Sequence, residues 1–248
     1  IRSSELDGLD PSDYNLRSLE TLLQQRQNGD TDHVADAELD LLLTDSLIRL
    51  AFHLYFGKVD AERLDPNINF ARAMGDDDPA PDLLQAIRRG EIAATFDEAR
   101  PGNVRHQWLK DALARYRQYQ AQGGWAPVPK GATLKPGQRD PRVPALRARL
   151  AVTGELATAA AADPELFDAE LEAGISTFQR RHGLEDDAVV GPATLAALNV
   201  PVEQRIEQIR VNLERQRWIM HQAYDEFLIV DIAGFQVYWV KDNEVIWQ

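Results

Sequence analysis

Apolar positions recur every three to four residues through most of the chain, so it reads as mainly helical. Residues 16–23 carry leucines at helical spacing behind Ser12 and Asp13, and residues 24–36 are polar and read as a loop. A longer amphipathic segment follows at 39–56. It has Leu43, Leu47, Leu50 and Leu54 on one side, and Asp45 and Arg49 paired one turn apart on the other. Gly57 ends it. The run Asp76-Asp77-Asp78-Pro79 is a strong breaker. Helices are predicted again at 83–87 and 104–119, the second with Trp108, Leu109, Leu113 and Tyr116 on one side.

Residues 121–136 then change character, with Gly123, Gly124, Pro127, Pro129, Gly131 and Pro136 predicting an extended linker rather than a core element. Trp125 within it either stacks on carbohydrate or pins the linker to a neighbouring domain. Three short helices follow. Val143, Leu146 and Leu150 form one stripe over 143–152; Leu171, Ile175 and Phe178 form a second; Leu195 and Leu198 form a third. Gly183 stands where the middle helix should stop, since glycine enters the left-handed region without a Cβ clash. Gly191-Pro192 opens the last one, with proline in the first turn, where its missing N–H is not needed. No two of these helices can bury both their faces, so the three are expected to share one interior centred on Leu146, Phe178 and Leu195.

A long helix is expected from Val202, with Ile206, Ile209, Leu213 and Met220 inward and Glu203, Arg210, Glu214 and Arg217 outward. The period then shortens. Residues 227–232 and 235–240 are β-rich runs joined by Ala233-Gly234, and a third run starts at Val245. Two and a half strands do not make an independently stable sheet, so a larger β-rich domain is expected of which these strands are the beginning.

Composition narrows the function classes. With 44% hydrophobic and 27% charged residues the chain is not globally disordered. No run of 18 apolar residues offers a membrane span. The net charge of −13 disfavours non-specific nucleic-acid binding. That charge is uneven: −11 over residues 1–100, +8 over 101–150 and −10 over 151–248. The basic block includes Arg139, Arg142, Arg147 and Arg149. It reads either as a surface attracting carboxylates or as a solvated face that neutralises acidic neighbours. There is no cysteine, which removes disulfides, thiolate nucleophiles and thiolate metal sites. The five histidines lack metal-ligand spacing, and no carboxylate pair is set among apolar residues as an acid–base pair would be. Neither a cofactor nor a metal is expected, and no catalytic residue is assigned.

The stretches Val143-Pro-Ala-Leu-Arg-Ala-Arg-Leu-Ala-Val-Thr-Gly154, Phe178-Gln-Arg-Arg-His-Gly-Leu184 and Val190-Gly-Pro-Ala-Thr-Leu-Ala-Ala-Leu198 together resemble the peptidoglycan-binding-like module of bacterial cell-wall enzymes. That family usually has Asp-Gly before Val-Gly-Pro; here the pair is Asp187-Ala188, which leaves the backbone at Ala188 open, because alanine tolerates positive φ poorly. Residues 41–45, Gly124-Trp125, residues 134–137, the run Asn212-Leu-Glu-Arg-Gln-Arg-Trp218 and the two β-rich runs extend the likeness. The chain is similar to L,D-transpeptidases of the large-scaffold type, with Asp231 and Ala233 standing where that family more often has Asn and Pro.

The resemblance implies a mainly α chain divided into a helical scaffold domain (1–122), a linker (123–138), a three-helix peptidoglycan-binding-like domain (139–200), a connecting helix (201–222) and the first strands of a truncated catalytic domain (223–248). It implies a periplasmic or cell-envelope protein whose partners are peptidoglycan glycan strands and stem peptides. Family members cross-link stem peptides through a cysteine thioester, which residues 1–248 cannot form, so this chain is expected to be catalytically silent. Two alternatives stand beside it: a non-catalytic peptidoglycan-binding protein, and the binding portion of a peptidoglycan hydrolase. Within the module the expected binding residues are Arg147, Gln179, Arg180, His182 and Thr194, polar groups over an apolar floor; the other reading has Gln179 and Thr194 brace the turn. The oligomeric state is not specified.

Overall fold

A computed structural model describes residues 1–30, 32–64, 80–219, 226–231, 235–242 and 244–247. It is mainly α-helical: α1 Leu16–Asn28, α2 His33–Phe56, α3 Ala61–Leu64, α4 Ala80–Arg89, α5 Ile92–Glu98, α6 Val104–Ala121, α7 Val143–Thr153, α8 Ala169–Arg181, α9 Pro192–Leu198 and α10 Val202–Ile219. Three strands follow: β1 Glu226–Asp231, β2 Gln236–Lys241 and β3 Glu244–Trp247. The breaker at 76–79, Met220, His221 and the Ala233-Gly234 turn lie outside the described residues. The chain divides into two compact units, residues 1–113 with 209–248, and residues 114–208, so the divisions fall inside α6 and α10.

In the first unit, the loop expected at 24–36 is mostly helix. α1 runs on to Asn28, where Gly29 closes it at φ +80°. α2 begins at His33 because Asp32 caps it, its carboxylate accepting from the Val34 and Ala35 amides. A local cap satisfies donors that the first turn leaves free, and so outweighs the weak helical propensity of a polar stretch. The interior gathers Leu9, Tyr14, Leu50 and Leu54, with Ile1, Phe96 and Ala99 packed against it. Tyr14 is fully buried, its hydroxyl 3.0 Å from His53 Nδ1, and Ser46 Oγ donates to the Tyr14 carbonyl. Asp7, also buried, is held by Arg100 and Lys110 at 2.9 and 2.8 Å.

The strands form an antiparallel sheet in the order β1-β2-β3. Leu228 faces Trp239, Val230 faces Val237, and Trp239 faces Trp247. Those five side chains share one face of the pleat, and all are exposed.

In the second unit α7, α8 and α9 enclose the expected interior. Val143, Leu146, Leu150, Leu171, Ile175, Phe178 and Leu198 form one buried cluster, with Leu195 packed against it. The linker expectation needs correction here. Val128 and Leu134 are each only 2% exposed and belong to that same cluster. Leu134 pairs antiparallel with Val190 through reciprocal backbone bonds of 3.3 and 2.9 Å. Val128 is held at both ends by Asn199, whose Oδ1 accepts from the Val128 amide while Nδ2 donates to its carbonyl. A proline-rich stretch lacks helix and ladder bonds of its own, but a side-chain amide supplies a donor and an acceptor at once.

Candidate functional site

The three-helix module is organised around a tight turn between α8 and α9. Gln179, 1% exposed, is its centre. Its Oε1 accepts from the Ala188 amide at 2.8 Å; its Nε2 lies 2.9 Å from Asp187 Oδ1, 3.1 Å from the Val189 carbonyl and 3.2 Å from Thr194 Oγ1. Thr194 Oγ1 in turn donates to the Val189 carbonyl at 3.2 Å. Asp187 accepts from the Val189 amide as well, and these donors hold its carboxyl below the usual range, the backbone amide first and Gln179 next. Ala188 stands at φ +55°, so alanine keeps the left-handed conformation that glycine would take more cheaply. The buried amide bond to Gln179 and the apolar surroundings of the methyl hold it there.

Arg147 lies on α7 with no exposed side-chain surface, its guanidinium 2.5 Å from Asp168 and 2.9 Å from Glu170. Burial alone would lower its pKa, but the two carboxylates raise it, so the cation is retained. Asp168 also caps α8, accepting from the Leu171 amide at 3.0 Å. That amide, and then Arg147, hold the Asp168 carboxyl below its usual value. One carboxylate therefore starts a helix and neutralises a buried cation. Arg149 is buried too. It donates to the Leu198 carbonyl and to Thr153 Oγ1, and its guanidinium lies 3.9 Å over the Trp125 ring. Desolvation pulls its pKa down to about 10, which still leaves it charged at neutral pH. Trp125 donates to the Val200 carbonyl and meets Tyr116 edge-on, so it pins the linker. With one ring face under a guanidinium, it does not offer a sugar platform on that side.

Within the basic block Arg142, Arg147 and Arg149 are buried, while Arg115, Lys130, Lys135 and Arg139 face solvent, Arg139 paired with Asp163. The solvated-face reading fits those exposed residues and not the three buried arginines. Among the five expected binding residues, Arg147, Gln179 and Thr194 are buried and bonded inside the module, Arg147 through its two terminal guanidinium nitrogens. This is the bracing role that was the alternative for Gln179 and Thr194. Arg180 reaches solvent, bonded to Asp186 and Ser176 at 2.8 and 2.7 Å. His182 is half-buried, its ring stacked on Phe178 at 4.0 Å with Nδ1 2.9 Å from the Phe178 carbonyl. Nδ1 therefore carries the proton that carbonyl accepts, and Nε2 remains the acceptor. Burial lowers the His182 pKa, against a smaller opposing effect of that carbonyl.

Sequence reasoning missed the partners: Asp168 and Glu170 for Arg147, and Asn199 for Val128. The first was legible as an acidic residue before an apolar run, an N-cap signal. The others depend on which helices meet.

Residues 1–113 match the family model described as a scaffold domain, and residues 139–198 match that described as a putative peptidoglycan-binding domain. No curated protein matches the chain. The two matches support a peptidoglycan-binding role, consistent with the scaffold portion of a cell-wall enzyme. No helix among the described residues is long and apolar enough to cross a membrane.

Proposed function

We propose that this chain is the scaffold and peptidoglycan-recognition portion of a cell-wall L,D-transpeptidase, working in the periplasm or cell envelope. The observation that carries it is the order of parts: a scaffold-type domain, a peptidoglycan-binding-type domain, then a sheet with an uncovered apolar face. Leu228, Val230, Val237, Trp239 and Trp247 on that face need further β structure or another layer against them, since exposed patches of this kind mark interfaces. On this reading they seed the catalytic domain, which transfers a stem-peptide acyl group through a thioester. Residues 1–248 contain no cysteine, so the nucleophile is supplied by residues not among them. Within the module, Arg180 and His182 are the recognition residues, being the two of the five whose side chains reach the surface.

Co-sedimentation of the 248-residue chain with purified sacculi at low salt tests this. The wild type is expected to pellet with the sacculi, and Arg180→Ala to pellet less. A wild type that stays in the supernatant would reject the recognition role. Turnover of a tetrapeptide substrate by this chain would reject the assignment of the chemistry to other residues.

A further inference from the structure

The N-terminal half of α6 and the C-terminal half of α10 border an open groove of about 390 Å³ in the first unit, lined by Arg105, Trp108, Leu109, Asn212 and Gln216. Its volume falls in the ~300–1,000 Å³ range of small-ligand sites. The spacing is helical on both sides: three positions of α6 at i, i+3 and i+4, two of α10 at i and i+4. Trp108 was expected on the packed side of α6 but is 61% exposed, while Leu113 on the same helix is buried. The Arg105 side chain makes no ion pair or hydrogen bond among the described residues. Gln216 Oε1 is buried without a hydrogen-bond partner among them.

An open indole, the unpartnered Gln216 amide oxygen and an uncommitted guanidinium around one groove match the surface of a pyranose. Its C–H face stacks on the indole, and its hydroxyl and acetamido groups exchange hydrogen bonds with that amide and the guanidinium. The net charge of −13 disfavours a nucleic-acid base as the stacking partner. Three of the five lining side chains are polar or charged, placed around the apolar surface of Trp108 and Leu109. We propose that this groove binds a glycan of N-acetylated amino sugars, at a site separate from the three-helix module. The choice of N-acetylated sugars rests on the peptidoglycan reading of that module; the stacking and amide chemistry does not.

Isothermal titration of the 248-residue chain with tetra-N-acetylchitotetraose, a soluble glycan without stem peptides, tests the groove. The wild type is expected to bind saturably, Trp108→Ala to bind roughly tenfold more weakly or worse, and Trp108→Phe to keep most of the affinity. Because Trp108 is largely exposed, both variants should keep the wild-type circular dichroism. Arg180→Ala, in the other unit, should bind the tetrasaccharide like the wild type. No saturable binding by the wild type, or equal affinity of wild type and Trp108→Ala, overturns the proposal. If sacculi are pelleted normally in that case, the module's role stands and the groove alone is rejected. If the wild type binds the tetrasaccharide and Trp108→Ala loses sacculi as well as the tetrasaccharide, the module reading fails and the groove stands.

Discussion

Replacing Gln179 by leucine removes the amide while nearly keeping its volume, and the consequences differ atom by atom. The Val189 carbonyl keeps Thr194 Oγ1, and Asp187 keeps the Val189 amide and access to water. The Ala188 amide keeps nothing, because Gln179 Oε1 is its acceptor within a residue only 6% exposed. A stranded buried N–H costs about 1–3 kcal/mol, and each lost bond about 0.5–1.5 kcal/mol more. Burial of the leucine side chain returns about 1 kcal/mol. A net loss of ~2 kcal/mol is expected, which for a unit of this size lowers Tm by about 8–16 °C. Urea denaturation followed by circular dichroism measures the loss, and peptide-level hydrogen exchange over α8 and α9 assigns it to the second unit. Gln179→Glu should be worse at neutral pH, since a carboxylate would face Asp187 and the Val189 carbonyl. Adding Ala188→Gly relieves the left-handed strain and should reduce the penalty of Gln179→Leu by at least about 0.5 kcal/mol. A Gln179→Leu midpoint within about 0.5 kcal/mol of wild type would refute the bracing role.

Other expectations follow from the same geometry. Asp168→Ala removes the cap of α8 and one partner of the fully buried Arg147, leaving Glu170, and should cost about 2–3 kcal/mol in chemical denaturation. The Asp168 carboxyl is depressed in the fold, so its contribution is present above the unfolded value near 3.9 and is lost as pH falls through the folded value; the variant should show a flatter acid limb. His182 is depressed for the opposite chemical reason, burial of a base. The unfolded chain therefore binds the proton first, and stability should fall as pH drops below about 6.5, levelling off below the folded pKa. Equal pH slopes for wild type and His182→Gln between pH 5 and 7 would contradict this. Gly57→Ala should destabilise the first unit by more than ~3 kcal/mol. The position has φ +83°, and a Cβ there would stand 2.5 Å from Glu214 Oε1 and 2.9 Å from Trp218 Nε1. Near-normal urea unfolding of that variant would show that the contact yields.

Much of this was written locally. Helical periodicity placed α7, α8 and α9 and the residues of their shared interior, because a short amphipathic helix has one apolar stripe and little choice over what to do with it. Gly183 at φ +64° and Pro192 in the first turn of α9 follow from backbone sterics of single residues. The change of period at 227 separated strands from helix for the same reason.

Whether a polar side chain faces water, a ligand or another part of the fold was decided by tertiary contacts alone. Arg147, Arg149 and Gln179 have the same residue types as a binding surface would, and only the approach of Asp168, Glu170, Leu198 and Ala188 turned them inward. Trp108 lies open on its helix although it shares a stripe with the buried Leu113, and of the two readings of Trp125 the contacts pick the pin, beneath a guanidinium. Periodicity records how hydrophobic a position is, which sets local structure. It does not record which distant donor meets which acceptor, and the placement of buried charge depends on that pairing.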